Sequence, residues 1–319
     1  MQEVEQARAV LTRIVENVGG AIIGKQQAVE IIVFAMASGG HVLIEDVPGV
    51  GKTSLVSALA RSVDGTFRRI QFTPDILPSD VTGFSLFNPK TGEFEFRPGA
   101  VMSNFVLADE INRTSPKTQA SLLEIMEENQ VTVDLHTYPL PQPFMVLATQ
   151  NPVEYLGTYP LPEAEIDRFS VRVSLGYPEP EDEMRVLSVG PEGAAAPLSP
   201  VACAQDILAA RVAAAAVTVD ESVRRYIVEL TTATRRSPDI LLGASPRGSI
   251  ALYRLSQACA LYYGRDYVLP DDVKYLAPYA LAHRLILSRA AKLAHRSAQE
   301  VLHGLIGSVR APLIKKQPV

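Results

Sequence analysis

The stretch EDVPGVGKTS, Glu45 to Ser54, closes on Gly51-Lys52-Thr53. Phosphate capture needs backbone N–H groups turned inward, a helix N-terminus and a mobile cation. Gly49 and Gly51 let the backbone come close to phosphates, and Pro48 stiffens the entry to the turn. Val50 and Ser54 complete the loop. Lys52 reaches β- and γ-phosphates, and the Thr53 hydroxyl is a Mg²⁺ ligand. Asp46 stands where the strict pattern G-x-x-x-x-G-K-[ST] has its first glycine. It fits only if the backbone there suits a non-glycine residue, or a side chain tolerant of positive φ. The plain alternative is a strand–turn–helix junction with a solvated lysine. An apolar run before the loop, a helical pattern after it and the intact GKT argue against that.

FVLADE, Phe105 to Glu110, is an apolar run ending in two acids. Behind a phosphate loop, Asp109 holds the Mg²⁺ water shell and Glu110 activates a water for attack on the γ-phosphate. A metal-only switch has no use for the second acid, so Glu110 argues for hydrolysis. ATQNP, Ala148 to Pro152, ends another strand at Asn151, a neutral group able to orient a water or the γ-phosphate. Asn-Pro is also a common turn opener. Arg168 in EAEIDRF and Arg247 in GASPRGS are further cations, although a surface ion pair is the commoner fate of an arginine.

These residues need a scaffold, and the pattern supplies one. Up to about Tyr177, short apolar runs alternate with helical stretches, which predicts an α/β domain with a parallel sheet. Strands are expected over 41–45, 67–72, 105–108, 144–149 and 169–175, with a helix over 52–63. Two stretches are long for plain connections. Residues 73–100 contain FSLF and EFEF around NPKTG, a hairpin whose phenylalanines are expected to pack one face on the domain. Residues 131–140 form the second. Beyond Tyr177, 179–183 is polar and 191–200 (PEGAAAPLSP) reads as a linker. The remainder is Ala/Leu/Arg-rich with helical periodicity over 205–216, 220–236, 246–263 and 271–287, with Asp220 and Asp271 as N-caps. The expected division is an α/β domain over 1–178 and an all-helical domain over 179–319.

The net charge of −5 offers no basic field for nucleic acid. Two cysteines, Cys203 and Cys259, form no disulfide framework, which suits the cytoplasm. The amino terminus lacks the apolar core of a signal peptide, and no uncharged apolar run spans a bilayer. The five histidines form no metal motif.

In order along the chain, EDVPGVGKTS, FVLADEINRTSPKTQASLLEIMEENQVTV, ATQNP, LPEAEIDRF and GASPRGS resemble the MoxR family of AAA+ ATPases, over about 24–279. Loops of that family often lack the first glycine. The resemblance implies a P-loop core with a five-stranded sheet in the order 5-1-4-3-2, a helical lid, ATP and Mg²⁺. It places Asn151 as sensor 1 and Arg168 as the arginine finger serving a neighbouring subunit. Arg247 becomes sensor 2, acting on its own chain's γ-phosphate, while Ile23 and Gly24 pack near the adenine. It also implies a ring, a hexamer, and a von Willebrand factor A-domain partner in the maturation of a client protein, with metal or cofactor insertion.

Three functions follow. A remodelling ATPase uses the whole hydrolytic set and two inserts that hold nothing catalytic. A DNA-associated motor conflicts with inserts that set Lys90 and Arg97 against Asp75, Asp80, Glu93, Glu95 and Asp134. A nucleotide-gated scaffold with incidental turnover leaves Glu110, Asn151 and Arg168 without a purpose.

Overall fold

Five apolar runs become one parallel sheet. A computed structural model describes residues 2–46, 49–150, 158–193 and 198–312. Its strands are β1 (Val42–Glu45), β2 (Phe67–Gln71), β3 (Gly83–Asn88), β4 (Glu93–Pro98), β5 (Phe105–Asp109), β6 (Gln130–Val133), β7 (His136–Pro139), β8 (Met145–Gln150) and β9 (Val171–Val173). The main sheet runs β2-β5-β8-β1-β9, all parallel. Read from β9, that is the expected 5-1-4-3-2 order. The inner strands β1, β5 and β8 are buried almost throughout, as strands covered on both faces must be. Edge strand β2 exposes Arg68 and Arg69, charges that discourage further pairing.

The helices of this part are α1 (Gln2–Ala21), α2 (Gln26–Ala37), α3 (Lys52–Ser62), α4 (Pro78–Thr82), α5 (Pro116–Glu128) and α6 (Glu163–Ile166). Side chains alternate across the sheet: Val42 and Ile44 enter one core, Leu43 the other. The second core is closed by α5, whose Ser115 cap accepts from Thr118 N–H and whose Asn129 cap is left-handed at φ +55°. The first core continues without a break into the helical part. There lie α7 (Pro180–Gly193), α8 (Ala204–Ala216), α9 (Glu221–Arg236), α10 (Pro246–Tyr262), α11 (Pro270–Leu281), α12 (Arg289–Leu293) and α13 (Ala298–Ser308). The ribbon β10 (Ile240–Leu242) with β11 (Ile286–Leu287) joins them. Leu11, Ile14, Val15 and Val18 form the buried stripe of α1, which packs on α2, α3, α8 and α10. No helix among the described residues is long and apolar enough to cross a membrane.

Several expectations need correction. The polar stretch 179–183 opens α7, which starts at Pro180, with three acids in its first turn complementing the helix dipole. The expected linker over 191–200 begins inside that helix, which runs to Gly193. Asp220 caps α9 as expected. Asp271 does not cap α11; the cap is Leu269, whose N–H donates to Asp272 at 2.8 Å. That helix stops at Leu281 and Ile286 enters the ribbon. The hairpin β3–β4 forms with Phe87 opposite Phe94, but its phenylalanines are not packed as a face on the domain. Phe84, Phe87 and Phe94 are exposed, while Phe96 stacks on Tyr138 of the β6–β7 hairpin at 3.9 Å between ring centroids.

Candidate active site

Both glycines of the phosphate loop are left-handed, with φ +86° at Gly49 and +89° at Gly51, where side chains other than hydrogen are strained. Gly51 is the N-cap of α3 and makes no side-chain cap. The first-turn N–H groups of α3, at the positive end of its dipole, therefore face the loop. Lys52 Nζ donates to the Asp46 carbonyl at 3.1 Å. Thr53 is half-buried and Ser54 exposed on the first turn, and Val50 packs partly against the core. Asp46 is buried and is not among the described non-glycine residues with positive φ. The first-glycine position of this loop thus requires nothing that only glycine supplies. Pro48 lies outside the described residues.

Gly24 is left-handed at φ +74°, and a Cβ there would stand 2.1 Å from Asp182 Oδ2 on α7. Beside it, Ile23 is half-buried and Lys25 Nζ donates to the Tyr177 carbonyl at 2.9 Å. The 23–25 turn and the entry to α7 therefore lie against each other.

Thr149 on β8 organises the acid pair. Its hydroxyl donates to Asp109 Oδ1 at 2.7 Å and accepts from the Glu110 N–H at 2.8 Å. Glu110 is left-handed at φ 57°, a strained setting for a non-glycine residue and one common at reactive sites. Arg69 on β2 pairs with Asp109 Oδ2 through Nε at 3.1 Å and Nη2 at 2.6 Å. Gln71 accepts from Arg69 at 2.7 Å and donates to Glu110 Oε2 at 2.8 Å. Arg113 approaches the same oxygen at 3.3 Å. Asn151 directly follows β8 and lies outside the described residues.

The two arginines are elsewhere. Arg168 precedes β9 and Arg247 opens α10, and both turn to the Glu127 carboxylate at the end of α5. They line a cleft of about 160 Å³ with Gly39, Asp167 and Arg254. Gly39 precedes β1, so the cleft lies at the amino-terminal edge of the sheet, while the phosphate loop leaves the carboxyl-terminal edge. Arg168 Nε is 3.4 Å from Glu127, an ion pair without hydrogen-bond geometry, so this buried N–H has no acceptor. Arg247, expected to serve its own chain's phosphates, stands in this chain with Glu127 and Gly39 at the edge of the sheet opposite the phosphate loop.

Sequence reasoning missed Arg69, Gln71, Glu127 and Thr149. Thr149 and Glu127 lie inside ATQNP and the DEINR stretch, but only the strand register shows what Thr149 faces, and only the docking of α5 shows what Glu127 faces.

The residues present fit an ATP–Mg²⁺ complex. The uncapped start of α3, the two left-handed glycines and Lys52 suit phosphates, and the Thr53 and Asp109 oxygens are the hard donors Mg²⁺ takes. A phosphate loop after inner strand β1 and an acid pair at the end of β5, two strands away, in this strand order, define an AAA+ nucleotide-binding module. The family model described as "ATPase family associated with various cellular activities (AAA)" matches residues 41–171, and that of the "AAA lid domain" matches 232–305. YeaC of Bacillus subtilis (strain 168) is 50% identical over 97% of both chains. The "Chaperone MoxR1" of Mycobacterium tuberculosis (strain ATCC 25618 / H37Rv) is 40% identical over 97% of this chain and 84% of its own. A crystal structure of a protein from Cytophaga hutchinsonii ATCC 33406 superposes with a TM-score of 0.89, 40% identity and 98% coverage of each chain. The chain belongs to the MoxR family of AAA+ ATPases.

Proposed function

We propose that the protein hydrolyses ATP with Mg²⁺ in a ring, a hexamer, in which each site is completed by the neighbouring copy. The carrying observation is the separation of the two halves. Four-residue β1 alone spans about 13 Å, so Arg168 and Arg247 at one edge of the sheet are out of reach of Lys52 at the other. Both arginines therefore serve the site of an adjacent copy, as one pair. The α/β unit over 1–178 and the lid over 179–319 each contribute one of them.

In that site Lys52 and the first-turn amides of α3 hold the phosphates, and Thr53 and Asp109 hold the metal. Bound Mg²⁺ supplies a Lewis acid that neutralises charge on the phosphoryl oxygens. Glu110 leaves Gln71 and Arg113 to take a proton from the attacking water, which Asn151 orients. The γ-phosphoryl is transferred to that water, ADP leaves, and the partner guanidiniums offset the charge that develops. An arginine in this role contributes about 10³–10⁵ in rate.

The work done with this energy is chaperone-like remodelling of a partner protein. The name of the mycobacterial relative supports this, as do the exposed Phe84, Phe87 and Phe94 on a hairpin with no part in the chemistry. Family resemblance narrows the partner to a von Willebrand factor A-domain protein and the task to metal or cofactor insertion. The test is affinity capture with Glu110→Gln protein and ATP. The variant binds ATP without cleaving it and retains both ring and partner. Capture of the ring alone removes the remodelling reading and leaves a nucleotide-gated scaffold.

A further inference from the structure

Asp46 occupies a glycine position of the phosphate loop, yet its carboxylate is spent on another part of the chain. Oδ2 accepts from the backbone N–H of Leu175, from that of Gly176 at 2.9 Å and from the Ser174 hydroxyl at 3.3 Å. The Asp46 N–H donates to the Gln150 carbonyl at 3.3 Å, at the end of β8, and its own carbonyl receives Lys52. One buried residue thus joins the phosphate-binding lysine, the strand leading to Asn151 and the 174–176 turn.

That turn is the covalent route from β9 into α7. Tyr177, the next residue, receives Lys25, and Asp182 on α7 lies against Gly24. We infer that Asp46 is a positioning residue, pinning the 174–176 turn to the phosphate loop so that α7 stays closed over the Ile23–Gly24 end of a bound nucleotide. This rests on the nucleotide reading above. Charge-assisted bonds from two backbone amides to one carboxylate oxygen are strong, and a glycine here supplies none of them. The departure from the strict loop pattern is then a gain of coupling, not a loss of binding.

The test compares Asp46→Ala and Asp46→Asn in the full chain, by amide hydrogen exchange over 174–177 and by Mg-ADP calorimetry. Alanine keeps the backbone restraint and loses only the carboxylate. Asparagine keeps an accepting oxygen. Asp46→Ala is expected to speed exchange at Leu175 and Gly176 and weaken Mg-ADP binding, each by about tenfold. Asp46→Asn should restore both to within about threefold. Should the alanine variant fail to fold, Asp46→Gly serves with the same expectations. Wild-type affinity in the alanine variant overturns the inference alone, and so does weakened binding with unchanged exchange. Wild-type protein that takes up no Mg-ADP overturns the nucleotide reading first and the inference with it.

Discussion

The Ser245 hydroxyl donates to Asp167 Oδ2 at 2.7 Å. Asp167 immediately precedes Arg168, and Ser245 caps the helix that carries Arg247. One bond therefore joins the roots of both arginines. The other Asp167 oxygen takes Arg284 Nε at 2.7 Å, and the same guanidinium donates to the carbonyls of Asp167 at 3.0 Å and Phe169 at 2.7 Å. Helical part and sheet edge form one knot here, so the two arginines travel as a unit.

Breaking that knot should be costly. The Arg284 side chain is only 2% exposed, and removing one partner of a buried ion pair costs about 3–5 kcal/mol. Arg284→Ala should lose about that much in urea unfolding. A loss below about 1 kcal/mol would assign the pair to the surface class and separate the two arginines mechanically.

Gln71 restrains the proposed base. Its amide donates to the carboxylate of Glu110, which must turn away to meet a water. Gln71→Ala, measured at fixed protein concentration, is expected to raise basal ATP turnover up to about tenfold, the equivalent of one net hydrogen bond near 1.4 kcal/mol. A fall in turnover would mean that Gln71 aims Glu110 and does not hold it back.

Acid should weaken the fold through His41. Its Nδ1 accepts from Val146 N–H at 3.0 Å and its Nε2 donates to the Met126 carbonyl at 3.0 Å, an arrangement only the neutral ring can make. Burial pushes its pKa from 6.5 down to about 4, with the Met126 carbonyl raising it and the Arg211 charge lowering it. Burial also holds His283 well below 6.5. A group whose protonation is favoured in the unfolded chain contributes fully above pH 6.5, and its contribution is lost as pH falls toward 4. For His41 the loss is about 3 kcal/mol. Urea midpoints across this window should fall less steeply in His41→Gln than in wild type. Parallel slopes would contradict the assignment.

Motif residues and inner strands were legible because each is governed locally. Apolar runs such as Phe105–Ala108 declare a strand covered on both faces, and the Gly49–Thr53 spacing declares its own turn. What stayed hidden depends on register and docking. Nothing in the isolated sequence brings Gln71 beside Glu110; the parallel pairing of Gln71 with Asp109 does. A motif gives Arg247 its type and its order in the chain, but not the edge of the sheet it reaches. Phe87 and Phe94 share one face of the hairpin and Phe84 lies on the other, and exposure is decided by what the hairpin leans on.

Mixing two inactive proteins tests the shared site most directly. Lys52→Ala lacks the phosphate lysine and Arg168→Ala the neighbour's guanidinium, and each alone should turn over ATP at background. Combined in equal amounts and reassembled, they should recover a clear fraction of wild-type turnover, because some interfaces then join an intact Lys52 to an intact Arg168. Activity that stays at background in assembled mixtures would contradict a site divided between two copies.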